Sequence, residues 1–378
     1  MKNFRAVFAV GILAAALGSI GIAHANQDAP PPTPAAPNLG GAHDFDFWIG
    51  VWRVHHRRLK ERLAGNHDWV DFDGTATTRP ALGGLGNVDD SVFNFPGGAY
   101  RGVGITAYDP KTTQWLTWGL DGRDPVASLD PPAVGHFENG VGTFYADDSF
   151  NGKPVRVRFV WTHATPATAH FEQAYSPDAG KTWETNWTSD FQRVGLAAAA
   201  SPIAVAQVSE VTPPAGPAAA DLSGLHAFDA RMGEWRVHSR QLKERLAGSH
   251  EWVEFDGTQS GYKTMDGWGN VIENVFNKPD GTYHGLTIRA YDPKTAQWAI
   301  WWLDGRDPSS ALDPPMKGRF DNGVGIFYAD DTYKGKPIRV RFTWTQVTPK
   351  SGHWEQAYSP DAGKTWETNW ISDFKRAE

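Results

Sequence analysis

The chain of 378 residues contains one long segment twice. Residues from Phe45 to about Arg193 reappear from Phe228 to about Arg376 at a constant offset of 183, without a gap. The run SPDAGKTWETNW, which begins at Ser176, is repeated letter for letter. A period of this length is far too long for a solenoid repeat or a propeller blade. Each copy is therefore predicted to be a complete domain, and each serves as a comparison for the other.

The regions outside the copies predict export and two linkers. Residues 1–25 have the three parts of a secretory signal: the basic Lys2 and Arg5, an apolar stretch, and a small-x-small site ending at Ala25. We predict cleavage near Ala25 and a periplasmic or secreted protein without a membrane anchor in the mature chain. Residues 26–42 and 195–225 are rich in Pro and Ala and are predicted linkers. The domains, 43–194 and 226–378, would reorient freely unless they share an interface.

Composition narrows the class of protein. The chain has no Cys, which excludes disulfides, a lipidated Cys and a thiol nucleophile. The net charge of -7 and the lack of a long basic cluster argue against a nucleic-acid partner. The 40 Gly, 26 Pro and 18 Trp, with every Trp inside the copies, are typical of a turn-rich, aromatic-rich β protein.

Each copy consists of short alternating segments separated by turn residues, which predicts about ten antiparallel strands. No stretch inside a copy keeps a helical period for more than two turns. A meander of this size most easily removes its edges by closing into a barrel. The predicted fold class is all-β: two tandem antiparallel barrels of about ten strands each, joined by the Pro/Ala-rich linker.

The first strand carries an alternating basic face that is unchanged between the copies: Arg53, His55 and Arg57 in copy one, and Arg236, His238 and Arg240 in copy two. The opposite face changes, because His56 and Arg58 are replaced by Ser239 and Gln241. Positions that differ between copies are typical of a solvated surface, so the unchanged face is predicted to line the lumen and bind ligand. The alternative is a two-sided, salt-bridged surface strand.

Further candidate ligand-binding residues lie on later strands and on one loop: Trp118, Asp121, Arg123, Trp161 and Glu172, with the equivalents Trp301, Asp304, Arg306, Trp344 and Glu355. The indoles are predicted to form a stacking wall, and the Asp–Arg loop to lie at a barrel mouth beside Trp118 and His55. Such a set could bind a sugar acid or an aromatic acid, or perform acid–base chemistry on one. The alternatives are a turn with a solvated ion pair at Asp121, and a structural ladder in which Glu172 pairs with Arg156 and Arg158.

Two resemblances support the barrel. Gly50-Val51-Trp52 resembles the Gly-x-Trp signature of lipocalins, in which an Arg near the last strand, here Arg193, stacks on the Trp. Each copy is also similar almost end to end to the bacterial domain-of-unknown-function family 1579. That resemblance implies a calycin-like barrel and brings no catalytic residues. Copy two departs from it where Ala230-Arg231-Met232 replaces Phe47-Trp48-Ile49, which puts its first-strand packing in question.

The segment from Ser176 to Trp183 resembles the Asp-box of sialidases and related carbohydrate-binding β proteins. The resemblance implies a turn device, in which Asp178 caps a hairpin turn and Gly180 takes a positive φ, rather than a catalyst.

Four His positions are shared by the copies, but none forms a ligand pair of the His-x-x-x-His kind. We therefore predict no metal and no cofactor, with haem held by a single His as the alternative.

The primary functional hypothesis is an exported protein that binds a small, partly polar organic ligand in each barrel. One alternative is an enzyme that uses His55 as a base with Asp121 or Glu172 as its partner. Another is a bivalent adaptor with two weak sites. The sequence assigns no oligomeric state.

Overall fold

A computed structural model describes residues 39–125, 129, 131–195, 222–310, 312 and 314–377. These residues form two closed, ten-stranded antiparallel β-barrels in tandem, which confirms the predicted fold class. The predicted signal peptide and nearly all of both predicted linkers lie outside the described residues. Among the described residues, no helix has the length and apolar character needed to span a membrane.

Barrel one contains ten strands that follow one another around the wall, and β1 pairs with β10 to close it. Its strands are β1 (Gly50–Leu59), β2 (Trp69–Ala81), β3 (Gly86–Phe93), β4 (Tyr100–Asp109), β5 (Gln114–Asp121), β6 (Ala133–Glu138), β7 (Val141–Phe150), β8 (Lys153–Thr165), β9 (Thr168–Ser176) and β10 (Glu184–Gly195). Short 3₁₀ helices cover Asp46–Trp48 and Leu82–Gly84.

Barrel two repeats this topology, and β11 pairs with β20. Its strands are β11 (Gly233–Leu242), β12 (Trp252–Thr264), β13 (Gly269–Lys278), β14 (Gly281–Asp292), β15 (Gln297–Asp304), β16 (Met316–Asp321), β17 (Val324–Tyr333), β18 (Lys336–Thr345), β19 (Ser351–Ser359) and β20 (Glu367–Arg376). Its 3₁₀ helices cover Asp229–Arg231 and Met265–Gly267.

One end of each barrel is closed by the predicted stack of arginine on tryptophan. The Arg193 guanidinium lies 4.2 Å from the Trp52 ring centroid, and that of Arg376 lies 4.3 Å from the Trp235 ring. Arg193 also donates hydrogen bonds to the backbone carbonyls of Phe47 and Ile49, just before β1. Gly50 is required here, because a Cβ at its φ of +151° would lie 2.1 Å from a guanidinium nitrogen. The stack fixes the chain that crosses the closed end.

The two barrels share a hydrophobic core, here called the inter-barrel core. It is built from the outward-facing side of β3, β4 and β5 and from the equivalent strands of barrel two. Its fully or nearly fully buried members include Ile105, Trp118, Leu286, Ile288 and Trp301. The domains therefore pack against each other and do not move independently on a tether.

Polar contacts across the inter-barrel core obey a pseudo-two-fold symmetry. The backbone N–H of Met265 donates to Asp90 at 3.0 Å, and that of Leu82 donates to Glu273 at 3.0 Å. Leu82 and Met265 occupy equivalent positions in the two copies, as do Asp90 and Glu273. Arg101 adds a bond to Asp266 at 2.5 Å. The tandem copies thus meet as the subunits of a two-fold dimer do, with the same patch used on both sides.

The Asp90 carboxyl predicts a specific pH dependence of stability. Burial raises its pKa from 3.8 to about 6, so the folded state binds this proton more tightly than the unfolded state. Stability then falls as pH rises from about 4 to about 7, by up to about 3 kcal/mol for a shift of roughly two units. Asp90→Asn keeps the acceptor for Met265, and it should be more stable than the wild type at pH 7.5 but equal to it near pH 4. Denaturant unfolding at both pH values measures this, and parallel pH curves would contradict it.

Candidate functional site

The lumen of barrel two contains a cavity of about 550 Å³. This volume is in the range of pockets that hold small organic ligands. Aromatic side chains form much of its wall, with Phe276, Trp344, Trp354 and Trp370 among them. Amide, hydroxyl and cationic groups interrupt this wall, so the lumen is a partly polar site rather than a dry core.

The prediction that the basic face of the first strand lines the lumen is wrong. Along β1 and β11 the buried positions include Trp52, Val54 and His56, and Trp235, Val237 and Ser239 in barrel two. The residues between them are exposed on the outside of the barrels: Arg53, His55, Arg57, Arg236, His238 and Arg240. The face that differs between the copies is the inner one, because the two lumens are chemically different.

The outer basic face is a salt-bridged surface. His55 Nδ1 lies 2.9 Å from Asp73, its Nε2 lies 3.4 Å from Asp71, and Arg57 Nε donates to Asp71 at 3.0 Å. The hydrogen bond with Asp73 raises the pKa of His55. Ion pairs to the neighbouring strand therefore stabilise this face. It is the salt-bridged surface that was the alternative to a lumen face. His55 has Asp71 and Asp73 as partners rather than the Asp121 or Glu172 of the enzyme hypothesis.

The four candidate indoles separate into two pairs. Trp118 and Trp301 both belong to the inter-barrel core, but Trp301 also borders the barrel-two cavity. Trp161 packs inside barrel one against Trp48 and Phe191, at centroid distances of 4.9 and 5.5 Å. Its equivalent, Trp344, lies on the wall of the barrel-two cavity.

The Asp–Arg loop forms a charged turn at the open end. In barrel two Asp304 and Arg306 lie on the cavity wall, joined by a bond of 2.6 Å from Arg306 Nη2. The Arg306 guanidinium lies 3.7 Å from the Tyr283 ring centroid. In barrel one Arg123 is bound to Asp121 in the same way and lies over Tyr100. The ion pair of the loop thus stacks on a tyrosine of β4 or β14, and not on Trp118 or His55.

Glu172 and Glu355 do not pair with the arginines of β8 and β18 as the ladder predicted. Glu172 contacts His170 at 3.3 Å, and Glu355 contacts His353 at 3.1 Å. Arg158 instead lies 4.6 Å over Trp183 of the Asp-box. In that box Asp178 accepts from the backbone N–H of Thr182 at 2.8 Å, which is the capping role that the resemblance implied.

The sequence analysis did not identify the arginines that lie at the closed end of barrel two. Arg231 and Arg289 are 1% and 3% exposed. Arg289 lies on the cavity wall, and Arg231 donates to the wall residue Gln259 at 2.6 Å. The equivalent residues of barrel one are Trp48 and Thr106. The signal in the sequence is the departure at Ala230-Arg231-Met232, where a charged residue replaces Trp48 of copy one.

An amide network connects Arg231 to the cavity wall. Gln259 Nε2 donates a hydrogen bond to Asn274 at 2.6 Å, and Asn274 Nδ2 donates to Thr287 at 3.2 Å. Barrel one has Ala76 in place of Gln259 and Ser91 in place of Asn274. Arg231, Gln259 and Asn274, here called the polar group of barrel two, therefore all differ from their equivalents in barrel one.

Each lumen has a cation between aromatic rings near the mouth at a further pair of equivalent positions, but on different strands in the two barrels. In barrel one Arg58 lies 4.2 Å over Phe95 and 5.4 Å over Trp187. In barrel two the cation is Lys278, at the position of Phe95, and it donates to Gln241, at the position of Arg58, at 2.7 Å. The two substitutions compensate each other, which keeps a cation at this place.

The lumen of barrel one has different chemistry near its closed end. Its Asp89 takes the place of Ile272 and accepts from Ser91 Oγ at 2.9 Å, and burial raises the pKa of this carboxyl. His56 is buried and bonded to Ser189 at 2.7 Å, and burial lowers its pKa to about 4, so it is neutral at pH 7. Within the described ranges, no group of three or more His, Asp or Glu side chains is placed to hold a metal ion.

Comparison with known proteins finds solved structures that are distantly similar to this chain. No protein-family model matches this sequence, and no curated protein matches it. A solved protein of unknown function of the DUF3598 family from Nostoc punctiforme is 11% identical, with 89% of this chain and 99% of that one covered and a TM-score of 0.26. A transferrin binding protein B mutant from Haemophilus parasuis is 6% identical over 87% of this chain and 77% of that one, with a TM-score of 0.17. These similarities assign no function to this chain.

Proposed function

We propose that this protein binds a small, partly polar organic ligand, and that the lumen of barrel two is its binding site. The observation that carries the proposal is the cavity of about 550 Å³ in that lumen. A barrel whose role were only structural would fill this space with apolar side chains, because close packing stabilises the fold. An aromatic wall with a few polar groups is instead the usual composition of a ligand pocket.

The other parts of the hypothesis are proposals with their own support. A ligand in barrel one rests on its polar lumen, with His56, Ser189 and Asp89. Export after cleavage near Ala25 rests on the signal-like residues 1–25. Membership of the domain-of-unknown-function family 1579 rests on the motifs of the two copies alone.

A neutral fluorescent probe tests the proposed function. N-phenyl-1-naphthylamine, which fluoresces more strongly in apolar surroundings, should bind the wild-type chain saturably. Ala329 lies on the cavity wall, so Ala329→Trp should occupy the lumen and reduce probe affinity at least tenfold. The matched control is Ala146→Trp at the equivalent position of barrel one, which should leave the barrel-two site intact. Absence of saturable binding, or equal loss in the two variants, would contradict a site in barrel two.

A further inference from the structure

The donors at the closed end of barrel two have no counter-charge. Among the residues that the structure describes, no carboxylate lies within 4.0 Å of the Arg231 or Arg289 guanidinium. Arg289 donates to Asn270 at 3.1 Å, and Arg231 donates only to Gln259. Buried arginines are normally paired with a carboxylate or a phosphate, because an uncompensated buried charge is costly.

The unpaired polar atoms of this region are all donors. They are Arg231 Nε and Nη1, Arg289 Nε and Trp344 Nε1. The two guanidinium groups lie on the same indole, at 5.3 Å and 5.4 Å from the Trp344 ring centroid. A set of donors without acceptors is complementary to a group that only accepts hydrogen bonds, such as a carboxylate or a sulfonate.

Electrostatics favours the same kind of group. Burial lowers the pKa of Arg231 to about 8, with the charge of Arg289 adding to the effect, and burial lowers the pKa of Arg289 to about 9. A guanidinium keeps its proton in proteins, so the lowered pKa expresses the cost of desolvating each charge. A bound anion would offset that cost for both arginines.

We propose that barrel two binds an organic anion with an aromatic body, and that the Arg231 and Arg289 pair recognises its acidic group. This inference rests on the proposed function and specifies its ligand. The acidic group reaches Arg289 at the closed end, and the aromatic body lies between the indoles and phenyl rings of the wall. Barrel one lacks the pair, since it has Trp48 and Thr106, and it has the carboxyl of Asp89 in the same region. The two lumens therefore select ligands of different charge.

A matched pair of ligands tests the proposal on the full chain. Isothermal titration compares 2-naphthoate with 2-naphthamide, which has the same aromatic body but no charge. We expect the wild type to bind naphthoate at least tenfold more tightly than naphthamide. Arg289→Met removes the charge while keeping an unbranched side chain, and it should abolish this preference. The matched control is Arg236→Met, which removes an exposed guanidinium from the outer face of β11 and should leave the preference unchanged.

The outcomes distinguish the proposal from the proposed function. If naphthamide binds as tightly as naphthoate, anion recognition is wrong, while ligand binding in the lumen stands. If neither ligand binds and N-phenyl-1-naphthylamine also fails, both are wrong. Should Arg289→Met not fold, Arg289→Thr, which installs the barrel-one residue, provides the same comparison. A variant that folds and keeps the full preference for naphthoate overturns the role of Arg289.

Discussion

Trp301→Ala is expected to destabilise the protein by about 3–5 kcal/mol, the usual cost of deleting a large buried aromatic side chain. Trp301 is 0% exposed and belongs to the inter-barrel core. Its removal leaves a cavity that two closed barrels cannot refill, because hydrogen bonding fixes the wall on each side. Denaturant unfolding followed by tryptophan fluorescence and by circular dichroism measures the loss.

The neighbouring residue provides the control for this prediction. Trp302 lies on the same strand, points to the opposite face and is 36% exposed. Trp302→Ala should cost much less stability, but it should alter ligand affinity because Trp302 lies on the cavity wall. Equal destabilisation by the two variants would contradict the inter-barrel core. Weaker probe binding by a folded Trp301→Ala protein would support the prediction that Trp301, which borders the cavity, contacts ligand.

The number of strands was predictable from local pattern. About ten antiparallel strands were predicted in each copy, and each barrel has ten. Alternation over five to ten residues and the turn residues between segments contain this information locally. Closure into a barrel followed from the same pattern, since a long meander would otherwise leave two unpaired edges.

The direction of each face was not predictable in the same way. Alternation separates two faces of a strand, but it does not say which one points inward. The prediction assumed that the face unchanged between the copies was internal. That face is in fact external, and its His55 pairs there with Asp73 on the next strand. The inner positions differed because the lumens differ, as Arg58 and Gln241 show. The burial of Trp118 in the inter-barrel core depends on a contact between the two barrels, and no local sequence pattern contains that contact.

Replacing the polar group of barrel two by its barrel-one equivalents should make the protein more stable and less able to bind anions. The variant combines Arg231→Trp, Gln259→Ala and Asn274→Ser. Trp48 of barrel one packs 5.2 Å from Trp52 and 4.7 Å from Phe191, and the equivalent rings in barrel two, Trp235 and Phe374, already surround Arg231. Exchanging a buried unpaired charge for a packed indole is expected to add about 1–4 kcal/mol of stability. Thermal and denaturant unfolding without ligand measure the gain.

The same variant should lose at least a factor of ten in naphthoate affinity, because one of the two recognising cations is gone. The reciprocal change, Trp48→Arg in barrel one, should destabilise the protein by about 3–5 kcal/mol, since it removes a buried indole and places a charge in an aromatic core. A structural role for Arg231 predicts the opposite pattern, in which its replacement costs stability. A gain in stability together with a loss of anion affinity would mean that barrel two retains Arg231 for its ligand, at the expense of its fold.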